Sequence, residues 1–166
     1  MSATTRAAEV IARLGNGAKV GAEIGVLSGK MSRELLRRPQ TTLYMVDNWQ
    51  AMSAYRVDQE TQDENYLKCL EVGGIVLRMD SLEAAKSFPD EFLDFVFIDA
   101  DHSYTAVCND IAAWLPKLRK GGLLGGHDYA NKGELCGDEV KQAVDDSARV
   151  FGFKIELGKD STWFRR

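Results

Sequence analysis

The chain has 166 residues, enough for one domain with a complete hydrophobic core, and its hydrophobic content of 45% and charged content of 28% are typical of a globular protein. The net charge of −4 argues against binding to nucleic acid or to an acidic membrane surface, and no uninterrupted apolar segment reaches the ~20 residues that span a bilayer. Three scattered cysteines without metal-site spacing, and an N-terminus without a signal peptide's apolar core, favour a reduced, cytoplasmic setting.

The first predicted elements lead into the stretch around which the chain is organised, residues 18–36. An amphipathic pattern predicts a helix over residues 4–14, and an apolar-leaning run predicts a buried strand over residues 20–24. Gly25 and Gly29 then mark a turn into a second helix, whose apolar residues recur at helical spacing.

The turn at these two glycines is a candidate cofactor site. Ser28 or Ser32 can cap the helix that follows. A strand that feeds a helix through such a turn directs backbone N–H groups toward one place, which suits an anionic or polar group. The spacing Glu-x-Gly-x-x-x-Gly differs from the dinucleotide pattern Gly-x-Gly-x-x-Gly, so the ligand need not be a phosphate.

The second predicted strand, residues 43–46, ends at an acid that suits a nucleoside. Asp47 lies 24 positions after Glu23. In nucleotide-binding α/β folds an acid about 20 residues past the glycine turn accepts hydrogen bonds from the ribose diol. Trp49 has two interpretations, stacking on a flat base or packing in the core.

Residues 50–72 are polar and helix-prone, and this segment is longer than a crossover between two parallel strands requires. They predict either one or two helices that form a lid over the site, or a crossover helix with a long lead-in loop. A third strand follows over residues 75–79 and ends at Asp80 and Ser81. This pair either faces the site, or Ser81 caps the next helix.

The most strongly β-forming segment is residues 92–98, which predicts a strand covered on both faces. A helix is predicted over residues 104–118, with an end or kink near Leu115 because of Pro116. A glycine-weakened fifth strand follows over residues 123–126.

The C-terminal part predicts a loop over residues 130–137, a helix over 138–150, and a hairpin of strands 151–157 and 161–164. Strands that alternate with helices predict an α/β, doubly wound, mainly parallel sheet with helices on both faces, and the hairpin adds an antiparallel strand. No repeat or internal boundary divides the chain, so residues 1–166 are expected to form a single domain.

Acidic residues follow five consecutive predicted strands. In such sheets, ligands bind beyond the carboxyl ends of the strands. Surface acids scattered at random would not favour that edge, so we expect these side chains to share one cleft: Glu23, Asp47, Asp80, Asp99 and Asp128.

The chain has two histidines, His102 and His127, and each adjoins an aspartate at the end of a predicted strand. A histidine with a pKa near ~6.5 can take up a proton at neutral pH. Both are therefore candidates for proton transfer or ligand binding.

Three aspartates next to these histidines, Asp99, Asp101 and Asp128, can hold a divalent cation. Clustered carboxylates repel one another, so they need a cation, a proton or strong hydrogen bonds. The alternative is structural: Asp101 or Ser103 caps the following helix, and Asp128 forms hydrogen bonds within its loop.

Five segments in order, AEIGVLSG, VDNW, RMDS, VFIDADHSY and GGLLGGHDY, resemble the class I S-adenosylmethionine-dependent methyltransferases. The resemblance covers residues 20–144. It is closest to small O-methyltransferases with an Asp-x-Asp-His-Ser-Tyr segment and a later His-Asp-Tyr. It implies a Rossmann-like, seven-stranded sheet with the last strand inserted antiparallel, and O-methylation of a hydroxylated small molecule, such as a sugar or secondary metabolite.

The resemblance also implies a binding mode for S-adenosylmethionine. The implied contacts are Glu23, Gly25 and Gly29 at the methionine end, Asp47 at the ribose hydroxyls, Asn48 and Trp49 at the border of the adenine, Asp80 and Ser81 at the adenine edge, and Asp99 beside the sulfonium.

In metal-using relatives, the resemblance places a divalent cation at Asp99, His127 and Asp128. Because His127 stands where an acid is usual, manganese, iron or zinc is more natural here than magnesium. His102 or Asp101 would be the general base. A homodimer could complete the acceptor pocket of so short a chain.

Three other functions fit the same pattern less closely. They are a nicotinamide-dependent oxidoreductase, which would need the tighter glycine turn, a non-catalytic cofactor-binding module, and a metal-independent methyltransferase.

Overall fold

The computed structural model describes residues 2–52, 56–130 and 138–166, so most of the expected loop at 130–137 lies outside the described residues. Helices and strands alternate along these ranges. Their bounds are α1 (Ala3–Leu14), β1 (Lys19–Ile24), α2 (Lys30–Leu36), β2 (Thr41–Asp47), α3 (Gln59–Leu70), β3 (Ile75–Arg78), α4 (Ser81–Lys86), β4 (Leu93–Ile98), α5 (Tyr104–Trp114), β5 (Leu118–Gly126), α6 (Glu139–Phe151), β6 (Ile155–Leu157) and β7 (Trp163–Arg165).

The strands form one seven-stranded sheet in the order β3-β2-β1-β4-β5-β7-β6. The first five strands pair in parallel, whereas β7 pairs antiparallel with both β5 and β6. This confirms the predicted α/β, Rossmann-like fold and its antiparallel C-terminal strands. None of the helices in the described ranges is long and apolar enough to cross a membrane.

The strand register brings the expected site residues to one edge. Ile24, the last residue of β1, is paired with Val46 in β2 and with Ile98 in β4. Ile98 is also paired with Gly126, the last residue of β5. The carboxyl ends of these four strands are therefore level, and the chain order reverses at β1, where such sheets bind ligands.

Two hydrophobic clusters cover the two faces of the sheet, which explains the continuous apolar run in β4. Phe95 and Phe97 belong to the cluster with α1 and α2, whereas Val96 and Ile98 belong to the cluster with α5 and α6. Successive residues of a strand point to opposite faces. A strand buried on both faces is apolar at every position rather than at alternate ones.

The fifth strand is longer than the sequence predicts. A short 3₁₀ turn at Leu115–Lys117 follows α5, and β5 begins at Leu118, where Leu118 is paired with Leu93 of β4. Residues 118–122, which precede the predicted start of the strand at 123, are therefore also part of β5. A Cβ on Gly125 would lie 2.5 Å from the Phe164 ring, so glycine lets β7 pack closely against β5.

In the stretch 50–72, the described residues contain one helix, α3, preceded by an antiparallel bridge between Met52 and Val57. Arg78 of β3 forms an ion pair with Asp63 of α3, and its guanidinium carbon lies 4.7 Å from the centre of the Tyr66 ring. The helix thus lies beside the edge strand. The lid interpretation remains a prediction.

Candidate active site

The glycine turn after β1 is shaped by close packing. Gly25 has a φ of +84°, and a Cβ there would lie 2.2 Å from the carbonyl oxygen of Asp99, so only glycine allows the two segments to meet. Gly29 has a φ of +70°, and a Cβ there would lie 3.0 Å from Val72 Cγ2. Both glycines are therefore required by the backbone of the turn itself.

The expected helix caps are not those observed. Gly29 is the N-cap residue of α2, and no side chain caps this helix, so neither Ser28 nor Ser32 has that role. Ser32 instead donates a hydrogen bond from Oγ to Glu23 Oε2 at 2.5 Å. Burial raises the pKa of Glu23 to about 8, against the lowering effect of this hydrogen bond, so Glu23 is largely protonated at neutral pH.

Asp47 holds the glycine turn in place. Its Oδ2 accepts hydrogen bonds from the amides of Val26 and Leu27, both at 2.9 Å, and its Oδ1 accepts one from the amide of Trp49 at 2.9 Å. A carboxylate oxygen accepts about two hydrogen bonds, so Oδ1 retains capacity for one more donor. One ribose hydroxyl can therefore bind directly.

The structure shows Trp49 as a packed core residue. Its side chain is fully buried, its Nε1 donates to the Leu27 carbonyl at 2.7 Å, and its ring lies 5.2 Å from that of Tyr66. The indole therefore has no exposed face on which a base could stack. Its neighbour Asn48 is exposed, and Asn48 Oδ1 accepts a hydrogen bond from the Gln50 amide at 3.0 Å.

Asp80, and not Ser81, caps the helix after β3. Asp80 Oδ1 accepts hydrogen bonds from the amides of Leu82 at 2.9 Å and Glu83 at 3.2 Å. The Ser81 hydroxyl donates to the buried carboxylate of Asp110 on α5. Burial raises the pKa of Asp110 to about 6, despite the hydrogen bond from Ser81.

Four side chains after β4 and β5 form a cluster that we call the Asp–His ring: Asp99, His102, His127 and Asp128. His102 Nε2 lies 3.1 Å from Asp128 Oδ2, and His127 Nδ1 lies 3.0 Å from Asp128 Oδ1. Both imidazoles lie 3.5 Å from Asp99 Oδ1. Carboxylates and imidazoles therefore alternate around the ring.

The backbone at Asp128 departs from the usual conformation to make these contacts. Asp128 has a φ of +61° and is 4% exposed. A left-handed conformation is unfavourable for residues other than glycine, and such positions cluster at functional sites. Nearby Gly126 allows close packing before this point, since a Cβ there would lie 2.7 Å from the Ile98 carbonyl oxygen.

The structure separates the two candidate bases. His102 lies in the ring, whereas Asp101 is exposed and accepts a hydrogen bond on Oδ1 from the Ser103 amide at 2.7 Å. Asp101 therefore contributes to the turn before α5, but the expected cap is wrong: Ser103 is the N-cap residue of α5, and no side chain caps this helix. Of the acids expected to converge, Asp99 and Asp128 lie in one cluster, where both contact the same two imidazoles.

Arg6 of α1 also belongs to the site, although no motif in the sequence marks it. Its NH1 donates to Asp99 Oδ2 at 2.7 Å and lies 3.2 Å from His127 Nδ1. The only sequence signal is an arginine on the side of an amphipathic helix that buries Ala7 and Val10. Such a position is unusual for a fully solvated charge.

The groups of the ring shift one another's pKa values. Burial opposes ionisation of Asp99, but hydrogen bonds from His102 and His127, with the charge of Arg6, lower its pKa below the ordinary value. Burial likewise opposes protonation of His127, but hydrogen bonds to Asp128 and Asp99 raise its pKa to about 9. The same carboxylates outweigh burial and raise the pKa of His102.

The ring also has the donors and the space for a cation. One ligand atom each from Asp99, His102 and Asp128 lie within 4.8 Å of one another. Asp99, His102 and His127 also line a cavity of about 10 Å³, which has room for a single water molecule. Imidazole and carboxylate donors suit a transition metal. The geometric set contains His102 where the family resemblance implies His127.

Comparison with known proteins assigns the chain to a family. The family described as "Methyltransferase domain" matches residues 22–129. No curated protein sequence matches the chain.

Solved structures share the fold. The chain is similar to a protein from Methanococcus maripaludis assigned as an S-adenosylmethionine-dependent methyltransferase, with a TM-score of 0.69, 16% identity, and coverage of 98% of this chain and 82% of the other. A precorrin-6y C5,15-methyltransferase from Geobacter metallireducens has a TM-score of 0.65, 16% identity and coverage of 96% and 84%. An apo TDP-rhamnose 3′-O-methyltransferase from calicheamicin biosynthesis has a TM-score of 0.65, 15% identity and coverage of 98% and 78%.

Proposed function

Because the chain belongs to the methyltransferase domain family and is an S-adenosylmethionine-dependent methyltransferase, we propose that it methylates a hydroxyl oxygen of a small polar molecule. The observation that carries this proposal is the Asp–His ring beside the glycine turn. An imidazole held between two carboxylates is suited to remove a proton from a hydroxyl. A TDP-rhamnose 3′-O-methyltransferase with the same fold supports a sugar-like acceptor.

The cofactor side of the cleft suits a cationic nucleoside. Glu23 and Asp99 lie where the resemblance places the methionine end and the sulfonium, and the ionised carboxylate of Asp99 favours positive charge there. Asp47 keeps capacity for one ribose hydroxyl, and Asp80 with Ser81 lies at the next strand end. Bound S-adenosylmethionine supplies a methyl group on a sulfonium, which is already a good electrophile.

The ring residues then orient the acceptor and take up its proton. His102 Nδ1 is the proposed base, because the N–H at Nε2 faces Asp128 and Asp99, which hold the imidazole and stabilise the imidazolium that forms. The alignment of the acceptor oxygen with the methyl group is a positioning effect. A divalent cation bound by Asp99, Asp128 and a histidine would lower the pKa of the acceptor hydroxyl. If His102 were that histidine, it could not be the base.

The test is methyl transfer from labelled S-adenosylmethionine to a panel of sugars and other hydroxylated compounds, with product identification by mass spectrometry. We expect His102→Gln to lower kcat by about 10²–10⁴-fold, as for loss of a general base, while calorimetry gives an unchanged affinity for the cofactor. Methylation only on nitrogen or carbon, or unchanged turnover of the variant, would contradict the proposal.

A second experiment separates metal-assisted from metal-independent transfer. The protein is treated with a chelator, passed through a desalting column and assayed with and without added Mn²⁺. Full activity without metal assigns the deprotonation to the ring alone, whereas activity restored by Mn²⁺ assigns a share of it to a bound cation.

A further inference from the structure

A cationic side chain of the protein itself, Arg6, is already in contact with the ring. Arg6 NH1 contacts Asp99 Oδ2 at 2.7 Å and His127 Nδ1 at 3.2 Å. A guanidinium carries a permanent positive charge in proteins. Two of the three ligands that the resemblance assigns to a metal, Asp99 and His127, are thus in contact with a side chain that a metal would replace.

The contact of Arg6 with His127 Nδ1 prevents a metal from binding to the same nitrogen. An imidazole nitrogen has a single lone pair, so Nδ1 cannot bind a metal while it holds a proton toward Asp128 or while an N–H of Arg6 lies in front of it at 3.2 Å. A metal at about 2.0–2.2 Å from this nitrogen would also be too close to the guanidinium of Arg6, which carries the same sign of charge. Arg6 must move before a cation can use this atom.

The helix that carries Arg6 is anchored in the core, whereas the arginine side chain is partly exposed to solvent. Ala7 and Val10 of α1 are buried in the hydrophobic cluster that also contains Met31 and Leu35 of α2. The Arg6 side chain is 22% exposed, so it reaches solvent without displacement of α1. Its Nε is buried and has no hydrogen-bond partner within the described ranges, so this end of the side chain is incompletely satisfied.

We propose that Arg6 is the built-in counter-cation of the Asp–His ring and competes with a divalent metal for Asp99 and His127. With Arg6 in place, Asp99 has a positive partner without a metal. A divalent ion binds through Asp99 and His127 when the Arg6 side chain withdraws. This inference rests on the proposed function only in treating the ring as the reaction centre. Metal binding itself is measured without cofactor or acceptor, so it can be tested separately.

The direct test is the affinity for Mn²⁺, measured by electron paramagnetic resonance and calorimetry on the protein without cofactor. We expect Arg6→Gln to bind Mn²⁺ about ten- to a hundredfold more tightly than the wild type, because a positive charge next to the ligands is lost. Arg6→Lys keeps the charge and should bind as weakly as the wild type. An unchanged or weaker affinity of Arg6→Gln would overturn the proposal.

Arg13→Gln is the matched control. Arg13 lies on the same helix and also forms ion pairs, with Glu9 at 2.9 Å and Glu156 at 2.7 Å, away from the ring. Its loss removes a charge from α1 without freeing the ring. Mn²⁺ affinity should equal that of the wild type, and a gain equal to that of Arg6→Gln would show an effect of net charge alone and overturn the proposal.

A crystal of the wild type soaked in Mn²⁺ gives a second readout that does not depend on the folding of any variant. We expect the metal on Asp99 and His127, with the Arg6 side chain displaced into solvent. A metal held by Asp99, His102 and Asp128, with Arg6 still in contact with Asp99, would refute the competition. Loss of methyl transfer with the metal results intact would instead refute the proposed function alone.

Discussion

The glycine turn and the Asp–His ring lie at the same edge of the sheet, but they are held in different ways. In the turn, Asp47 bonds to three backbone amides, and Gly25 and Gly29 adopt conformations that the backbone requires. In the ring, side chains bond mainly to other side chains, and Arg6 reaches them from a helix at the other end of the sequence.

This difference predicts different responses to mutation. Changes in the turn should disturb the backbone, and therefore both stability and cofactor binding. Changes in the ring should alter charge and chemistry with less effect on the fold. The following experiments test that division, from the largest expected effect to the smallest.

Gly25→Ala should have the largest effect. A Cβ would lie 2.2 Å from the Asp99 carbonyl oxygen, at a φ of +84°, so the turn and the segment after β4 must separate. We expect a loss of about 3 kcal/mol in the free energy of unfolding, from overpacking and backbone strain, with loss of measurable cofactor binding in calorimetry.

The matched control for that variant is Gly152→Ala. Gly152 has a φ of +70°, and a Cβ there would have no atom within 4 Å, so this variant isolates the cost of the left-handed conformation, about 1 kcal/mol. Equal destabilisation of the two variants in urea titrations would show that close packing at Gly25 does not matter.

Asp47→Ala should follow. It removes the acceptor of three backbone N–H groups in a turn that solvent partly reaches, so we expect about 2 kcal/mol of destabilisation. Cofactor affinity should fall at least about tenfold as the turn loosens. Calorimetry and urea titration measure both, with Asn48→Ala as the control. A variant that binds the cofactor normally would show that Asp47 organises neither turn nor ligand.

Asp110 on α5 is hydrogen-bonded to Ser81 at the end of the neighbouring strand. Its role is tested by the dependence of the free energy of unfolding on pH. Burial raises its pKa from the ordinary 3.8 to about 6, so the folded state binds more protons than the unfolded state between these values. Its contribution therefore makes stability fall as pH rises from about 4 to about 6, by roughly 2–3 kcal/mol in total.

Asp110→Asn removes this titration and keeps an acceptor for the Ser81 hydroxyl. The difference in free energy of unfolding, variant minus wild type, should increase through that pH window and stay constant above it. Urea titrations at intervals from pH 4 to pH 8 measure it. A difference independent of pH would place the Asp110 pKa at its ordinary value.

The sequence was a good guide to what depends on strand order. Parallel strands end at one edge, so the acids Asp99 and Asp128 could be expected to meet from their positions alone. The start of β5 could not be predicted, because it depends on the pairing of Leu118 with Leu93, a contact between distant segments. The orientation of the Trp49 ring could not be predicted either, because an aromatic residue after a strand is compatible with a buried or a ligand-facing ring.

The ring partners show the same limit more sharply. Arg6 lies 93 positions before Asp99, and no local pattern links them. Likewise, the bond from Ser81 to Asp110 depends on how α4 and α5 pack. Periodicity predicts which face of a helix is buried, but it does not identify the side chain opposite a buried charge.

Asp101→Asn should have the smallest effect, and it tests where the ring ends. Asp101 is exposed and contacts the Ser103 amide at 2.7 Å, a bond that an asparagine side-chain oxygen can also accept. We therefore expect a free energy of unfolding within about 0.5 kcal/mol of the wild type, as for most surface substitutions. Turnover should stay within about twofold, because a tenfold fall would need a rise of about 1.4 kcal/mol in the activation barrier. A large fall in kcat with unchanged cofactor affinity would instead make Asp101 the proton acceptor. In that case His102, between Asp99 and Asp128, would have a role in holding charge rather than in moving the proton.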